Sequence, residues 1–283
     1  MSISIVTVTY NSSSKINSFL NSVRKTKGIK NIILVDNNSS DVGDLKKIVN
    51  IFASNNPDLR ILLKLRKANY GFAKSCNYGA KFASGTILVF INPDTEIRGD
   101  AITTLVDHMS NHRAEIGGGK GVYRTGKGYH RTVFNKPNLM SFLLEFTNLG
   151  KILNKVSNFY VDQRLLKDDL LVDGVGGAFI CFKSSVFRAL NGFDEKYFMY
   201  LEDVDVCNRA IKAGYKILYC PHSTILHDGG ASSNNKYRIH HKAWYDSRVR
   251  YMRENYSNGT SLILVPILRI EEYLLKIRML FTT

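Results

Sequence analysis

Short apolar runs alternate with amphipathic stretches along the first third of the chain. Ile3–Thr9 is rich in β-branched residues and predicts a strand. Asn11-Ser12-Ser13-Ser14 then offers helix-capping side chains, and Ile16, Phe19, Leu20 and Val23 follow at helical spacing. Ile32–Val35 predicts a second strand, which runs into Asp36-Asn37-Asn38-Ser39-Ser40. Leu45, Ile48, Val49 and Phe52 line one face of a second helix. Ile61–Leu65 and Thr86–Ile91 predict two more strands, on either side of a helix expected over Phe72–Phe82. Strands alternating with helices predict βαβ units and a parallel sheet.

In such sheets ligands bind beyond the carboxyl ends of the strands. The four strand exits are Thr9-Tyr10-Asn11, Asp36-Asn37, Asn69-Tyr70-Gly71 and Asn92-Pro93-Asp94. Each would serve as an ordinary turn. Four polar exits on one sheet edge point instead to a site. The middle of the chain is less regular. Gly117-Gly118-Gly119 and the stretch Lys120–His130 read as a loop or hairpin, and Asn135–Phe159 as a mixed segment with a helix that covers the site. Ser223–Leu226 predicts another strand. Ser261–Leu280 is apolar with Arg269, Lys276 and Arg278 interspersed, and it follows a basic stretch, His240–Arg253. It reads either as a helix packed on the domain or on another subunit, or as an interfacial helix on an anionic membrane.

The 283 residues suffice for one large domain or two small ones, and 44% apolar with 22% charged residues is an ordinary globular balance. The 39 Lys and Arg against 24 Asp and Glu leave a net charge of +15. That surplus favours anionic partners: nucleic acid, an anionic membrane face or phosphorylated substrates. Cys76, Cys181, Cys207 and Cys220 form no C-x-x-C pair, so a zinc knuckle or disulfide framework is not expected, and a reducing compartment is. Met1–Val6 has no basic n-region, so no signal peptide is expected. No apolar run reaches the roughly 18 residues of a spanning helix, and Pro266 and the charges oppose one near the carboxyl terminus.

The densest polar cluster is Gly192–Arg209, with five acids in an aromatic-rich stretch. Glu202 and Asp203 precede a helical run and would suit its first turn. Phe198, Met199, Tyr200 and Leu201 set them against apolar surface, where a carboxylate can gain a raised pKa and act as a general base. Asp205 and Arg209 also have the i, i+4 spacing of a helix salt bridge. Pro93 presents Asp94 in a turn, as a hard-cation ligand would be. His227 ends the late strand and gains weight if it meets Asp94 in space.

The ordered set Val8–Asn11, Val35–Asn37, Asn69–Ala73 with Asn77, Asn92–Asp94, Gly176–Phe179, Gly192–Glu195, Glu202–Asp205 with Arg209, and His227 to Ser232 resembles the family 2 inverting glycosyltransferases of the GT-A fold. Within them it is most similar to bacterial rhamnosyltransferases of O-antigen and other surface polysaccharide synthesis. The resemblance covers roughly residues 3–235. It implies a Rossmann-like, mostly parallel central sheet flanked by helices, with a nucleotide-sugar half of about residues 1–115 and an acceptor half of about 116–235. Residues 236–283 would then be a helical carboxyl-terminal extension that contacts membrane or another subunit.

The resemblance also implies roles. Thr9, Tyr10 and Asn11 border the nucleotide, and Asp36 bonds its pyrimidine ring. Asn69, Gly71 and Asn77 flank nucleotide and sugar, and Arg209 joins that set. Asn92-Pro93-Asp94 stands at the family's Asp-x-Asp motif with Asn92 in place of the first acid. Asp94 and His227 hold a divalent metal, Mg²⁺ or Mn²⁺. Asp203, paired with Glu202, is the catalytic base, and Gly176 and Gly177 shape the acceptor side. The expected reaction moves a sugar, foremost L-rhamnose from dTDP-rhamnose, onto a lipid-linked saccharide at the cytoplasmic face of a bacterial inner membrane. A UDP-sugar donor, a degenerate scaffold subunit (suggested by Asn92 alone) and a basic nucleic-acid-binding protein are the competing readings. Dispersed basic residues and the lack of a recognised nucleic-acid motif oppose the last.

Overall fold

The computed structural model describes residues 2–125, 128–227 and 237–280. Its first half follows the predicted alternation: β1 (Ile3–Thr9), α1 (Ser13–Val23), β2 (Ile29–Asp36), α2 (Val42–Ser54), β3 (Ile61–Leu65), α3 (Phe72–Ala80) and β4 (Ile87–Ile91). A short β5 (Thr95–Ile97), α4 (Ala101–Asn111), β6 (Ile116–Tyr123), β7 (Val133–Phe134), α5 (Leu139–Phe146) and α6 (Leu149–Ile152) follow. The second half adds β8 (Leu170–Leu171), β9 (Gly174–Val175), β10 (Phe179–Lys183), α7 (Ser184–Ala189), α8 (Glu202–Lys212), β11 (Ile217–His227), α9 (Tyr237–Asn255) and α10 (Asn258–Leu280).

The main sheet runs in the order β3-β2-β1-β4-β10-β6-β11-β5, with β8 on β11. β3, β2, β1, β4, β6 and β11 point one way, and β10, β5 and β8 run against them. The sheet is therefore mostly parallel, as expected. Buried on both faces, its strands read as nearly continuous apolar runs. Alternate residues feed two cores. Ile5, Leu34, Val89 and Ile91 join the helix residues Phe19, Leu45 and Leu105 on one face. Val6, Ile33, Leu88 and Phe90 join Phe193, Tyr197, Val206 and Tyr251 on the other.

The glycine-rich segment departs from expectation. Gly117–Gly119 lies in β6, between β10 and β11 near the middle of the sheet, and not in a loop. Close packing explains its composition. A Cβ on Gly118 would come within 2.6 Å of Val175, and one on Gly119 within 2.3 Å of the Ser223 carbonyl. Only beyond the strand does the chain turn back, with the His130 N–H donating to the Gly121 carbonyl at 3.0 Å.

The start of α1 also differs. No serine hydroxyl caps it; Asp41, from the next loop, accepts from the Ser13 N–H at 2.9 Å. The carboxyl-terminal helices pack on the second half of the fold. Tyr251 stacks on Phe142 with ring centres 5.7 Å apart, the Tyr197 hydroxyl bonds Glu254, and the Ser247 hydroxyl donates to the Met199 carbonyl. Asp228–Ser232 of the last sequence motif, and the boundary expected at residue 235, lie outside the described residues.

Candidate active site

The carboxyl ends of β1 and β4 open into a cleft of about 370 Å³, which reaches to His227 at the end of β11. Of the residues expected at a site, Tyr10, Asn11, Asn69, Gly71, Asn92, Asp94 and His227 line it. The cleft wall is built by one buried amide. Asn37 donates to the Asn69 carbonyl side-chain oxygen at 2.7 Å and to the Gly71 carbonyl at 3.2 Å. Its own oxygen accepts from the Tyr70 N–H at 3.0 Å and the Ser75 hydroxyl at 2.9 Å. The full hydrogen-bond capacity of this amide is thereby used, and the Asn69–Gly71 loop is held in one shape. Gly71 has a φ of 85°, and a Cβ there would lie 2.3 Å from the Phe198 carbonyl. That carbonyl accepts from the Phe72 N–H at 2.6 Å. Glycine at 71 thus lets the Asn69–Gly71 loop touch the loop that leads to Glu202 and Asp203.

Asn11 ties two strand exits together, its side-chain oxygen accepting from the Ser40 N–H at 2.7 Å. Thr9 and Asp36 face each other in the β1–β2 register and are both buried. The Asp36 carboxylate accepts from the Thr9 hydroxyl at 3.1 Å and the Ser39 N–H at 3.0 Å. Each oxygen keeps capacity for a further donor. Neither residue is on the cleft lining.

Asp94 and His227 meet. β5 pairs antiparallel with β11, which sets His227 opposite Thr95 and brings its Nε2 to 3.1 Å from the Asp94 Oδ1. Two ligands at right angles on an ion at about 2.1 Å stand about 3 Å apart, so this pair fits a small divalent cation. An imidazole with a carboxylate is an acceptable donor set for such an ion. The His130 ring packs at 4.4 Å from the His227 ring, and its Nε2 bonds the His227 carbonyl at 2.8 Å.

A second, smaller pocket of about 120 Å³ holds Asp203 and Glu202, with Gly176, Tyr160, Phe146 and Trp244 around them. Tyr200 borders both spaces. The chain enters through two consecutive left-handed residues, Tyr200 at φ 72° and Leu201 at φ 64°. Non-glycine residues held there carry strain that the surrounding packing must impose. The turn delivers both acids to the first turn of α8. Asp203 accepts from the Gly177 N–H at 2.8 Å and the Val204 N–H at 2.9 Å. Burial raises its affinity for a proton, and those two N–H bonds oppose the rise. Glu202 is also raised, first by burial and then by repulsion from Asp203. Its Oε2 is buried with no partner.

Two residues expected on the donor side, Asn77 and Arg209, are engaged with the backbone of another loop. The Asn77 amide bonds the Phe193 N–H and carbonyl, at 2.9 and 2.8 Å. Arg209 bonds Asp205 at 2.8 Å and also the Leu190 and Gly192 carbonyls. Both side chains hold the Leu190–Phe193 loop and neither lines the cleft. Conversely, Lys15 and His240 line the cleft without having been expected at a site, and Met199 and Tyr200, expected only as apolar surroundings of Glu202 and Asp203, line it too. Tyr200 lay in the aromatic run before Glu202 and was open to notice. His240, whose Nδ1 is 2.9 Å from the Tyr200 hydroxyl, comes from the helix expected to lie outside the catalytic unit.

The glycosyl transferase family 2 domain matches residues 4–184, and the N-terminal domain of galactosyltransferase matches residues 167–230. Rhamnosyltransferase WbbL of Escherichia coli is 28% identical over 188 residues, 62% of this chain and 69% of that protein. N-acetylglucosaminyl-diphospho-decaprenol L-rhamnosyltransferase of Mycobacterium tuberculosis is 26% identical over 266 residues, 89% of this chain and 84% of that protein. Among solved structures, the mannosyltransferase PcManGT of Pyrobaculum calidifontis, in complex with GDP-Man and Mn²⁺, has a TM-score of 0.61 at 16% identity. It aligns over 96% of this chain and 69% of that one. S. aureus TarS 1-349 with UDP-GlcNAc has a TM-score of 0.54 at 16% identity, over 94% of this chain and 70% of that one. A family domain that spans residues 4–184, a GT-A fold, and two carboxylate-bearing spaces joined at Tyr200 lead to one conclusion: the chain belongs to glycosyl transferase family 2 and is a glycosyltransferase that resembles bacterial rhamnosyltransferases.

Proposed function

We propose that the chain moves L-rhamnose from dTDP-rhamnose onto a lipid-linked saccharide in bacterial surface polysaccharide synthesis, with inversion at the anomeric carbon. The observation that carries the reaction type is Asp203, a carboxylate of raised proton affinity in a pocket that shares Tyr200 with the larger cleft. The donor occupies the larger cleft and the acceptor enters the pocket. Asp203 takes the proton of the acceptor hydroxyl as that oxygen bonds the anomeric carbon. The bond from this carbon to the diphosphate oxygen breaks, and its electron pair leaves with the nucleoside diphosphate. Attack from the face opposite the leaving group inverts the centre, and no second nucleophilic carboxylate is needed. Asp94 and His227 would hold a divalent cation, Mg²⁺ or Mn²⁺, which would supply positive charge against the leaving diphosphate. Asn92, a neutral amide on the cleft lining, leaves Asp94 as the one carboxylate of the Asn92-Pro93-Asp94 motif.

The likeness to rhamnosyltransferases of Escherichia coli and Mycobacterium tuberculosis supports rhamnose, and the second, an N-acetylglucosaminyl-diphospho-decaprenol L-rhamnosyltransferase, supports a lipid-diphosphate acceptor. The net charge of +15 and the exposed apolar residues Leu262, Ile263, Ile267, Ile270 and Tyr273 on α10 support a place on the anionic cytoplasmic face of the inner membrane.

The test pairs a donor-binding panel of dTDP-, UDP- and GDP-sugars with Asp203→Asn. The variant is expected to bind donor as the native chain does and to lose about 10²–10⁴ in turnover. Full activity in Asp203→Asn would overturn the base. Selective binding of a sugar nucleotide other than dTDP-rhamnose would discard the sugar, and binding of none would favour a scaffold.

A further inference from the structure

A second cluster of metal-ligating side chains lies where α4 packs on β11, and the proposed reaction makes no use of it. His108, in the last turn of α4, and His112, which caps its end, are four residues apart, so their imidazoles fall on one side of the helix. Both reach the same oxygen. His108 Nδ1 is 2.5 Å and His112 Nε2 is 3.0 Å from the Asp169 Oδ2. Cys220, buried in β11, completes the group: its sulfur, the His108 nitrogen and an Asp169 oxygen all lie within 4.8 Å of one another. The other Asp169 oxygen, Oδ1, is buried and has no hydrogen-bond partner. Cys220 pairs with Gly119 and His227 with Tyr123, four residues along β6, or about 13 Å at about 3.3 Å per residue. The cluster is therefore a different place from the Asp94–His227 pair.

We propose that His108, His112, Asp169 and Cys220 form a tetrahedral zinc site that clamps α4, the segment entering β8 and the middle of β11. The donor set argues for the metal. A thiolate and two imidazoles select zinc over magnesium or manganese, which favour all-oxygen shells. Two imidazoles at i, i+4 on a helix are a recurrent zinc-binding arrangement. Bonds of about 2.0–2.3 Å place tetrahedral ligands about 3.3–3.8 Å apart, so an ion would widen the two His–Asp169 contacts of 2.5 and 3.0 Å and draw in Cys220, which lies within 4.8 Å of His108 and Asp169. Binding replaces the Cys220 thiol proton, which passes to water, while both histidines bind as neutral imidazoles. The metal would also engage a carboxylate that now has one oxygen without a partner. The role is structural, because all four ligands are protein groups and no open position remains for a substrate.

The experiment uses the full chain freed of metal with a chelator and titrated with Co²⁺, followed by Zn²⁺. The expected result is one equivalent of Co²⁺ that shows a thiolate-to-metal charge-transfer band and is displaced by Zn²⁺. His112→Ala, at a position whose side chain is 43% exposed, should weaken this binding at least tenfold. Cys220→Ser should abolish the band. Asp94→Ala should leave the band intact, which separates this site from the cleft cation. Zn²⁺ should also raise the melting temperature of the native chain but not of a His108→Ala/His112→Ala double variant. Binding without a thiolate band, or binding as tight in that double variant as in the native chain, would overturn the proposal.

Discussion

Two aspartates face the proposed reaction, and their surroundings separate their tasks. Asp94 stands on the lining of the open cleft with a histidine nitrogen 3.1 Å from one oxygen. Asp203 sits in the smaller pocket with two backbone N–H groups on its carboxylate. Asp94→Ala and His227→Ala should each weaken cation-dependent donor binding by about tenfold or more, or about 1.4 kcal/mol, while binding measured without a divalent ion changes little. Calorimetric titration with and without Mn²⁺ reads the difference. Glu202 behaves as a buried acid kept neutral. Its folded-state pKa is raised, so the stability it lends is full below the ordinary carboxyl pKa and is lost as pH rises through the folded value. The native chain should therefore lose stability from weakly acidic to weakly alkaline pH relative to Glu202→Gln, which keeps the shape and cannot ionise. Urea midpoints of the two proteins across that range give the answer; parallel curves would show that Glu202 ionises freely.

At the scale of elements, the periodicity of apolar residues carried most of the first half. β1 and β3 have the expected bounds, and α3 ends two residues early. β6 escaped because glycine has no side chain to show a period; its three glycines are placed by what packs on them. The loop before α8 shows the reverse problem. Asn77 and Arg209 are polar residues near a site in sequence, yet their groups are spent on the backbone of Leu190–Phe193. That loop also rests on Phe90, Phe182 and Phe187, with Phe193 centred 5.0–6.1 Å from their rings. Arg209→Ala should thus cost about 1–3 kcal/mol of folding stability through its unpaired carbonyls and the buried Asp205. Donor affinity should stay near the native value. A large loss of donor affinity at unchanged stability would restore Arg209 to the cleft.

At the scale of the molecule, charge and the carboxyl-terminal helices act together. No helix among the described residues is long and apolar enough to cross a membrane. α10 instead carries Ile263 at 68%, Ile270 at 59% and Tyr273 at 66% exposure, while Leu268 is buried against the domain. One face of the helix is therefore anchored and the other is free. The chain should sediment with vesicles that contain anionic lipid and less so at high salt, which screens its surplus positive charge. Ile263→Glu with Ile270→Glu should reduce that binding more than tenfold, because each isoleucine contributes about 1.5–3 kcal/mol when taken from water. Equal sedimentation of the double variant would leave α10 to a protein partner.

The sequence by itself determined the alternation of strands and helices, the polar strand exits and the identity of the acids, because these are local properties of side-chain type and spacing. It also carried the family, since the motifs keep their order along the chain. Only the tertiary structure decided which polar groups face the cleft. Asp94 and His227 are 133 positions apart and become neighbours through the β5–β11 register. His240 and Trp244 reach the two spaces because the carboxyl-terminal helices fold back onto the second half. His108, His112, Asp169 and Cys220 come from three separate segments, and no short motif announces them. Contacts between residues far apart in the chain depend on packing and strand register, and a one-dimensional pattern does not encode either one locally.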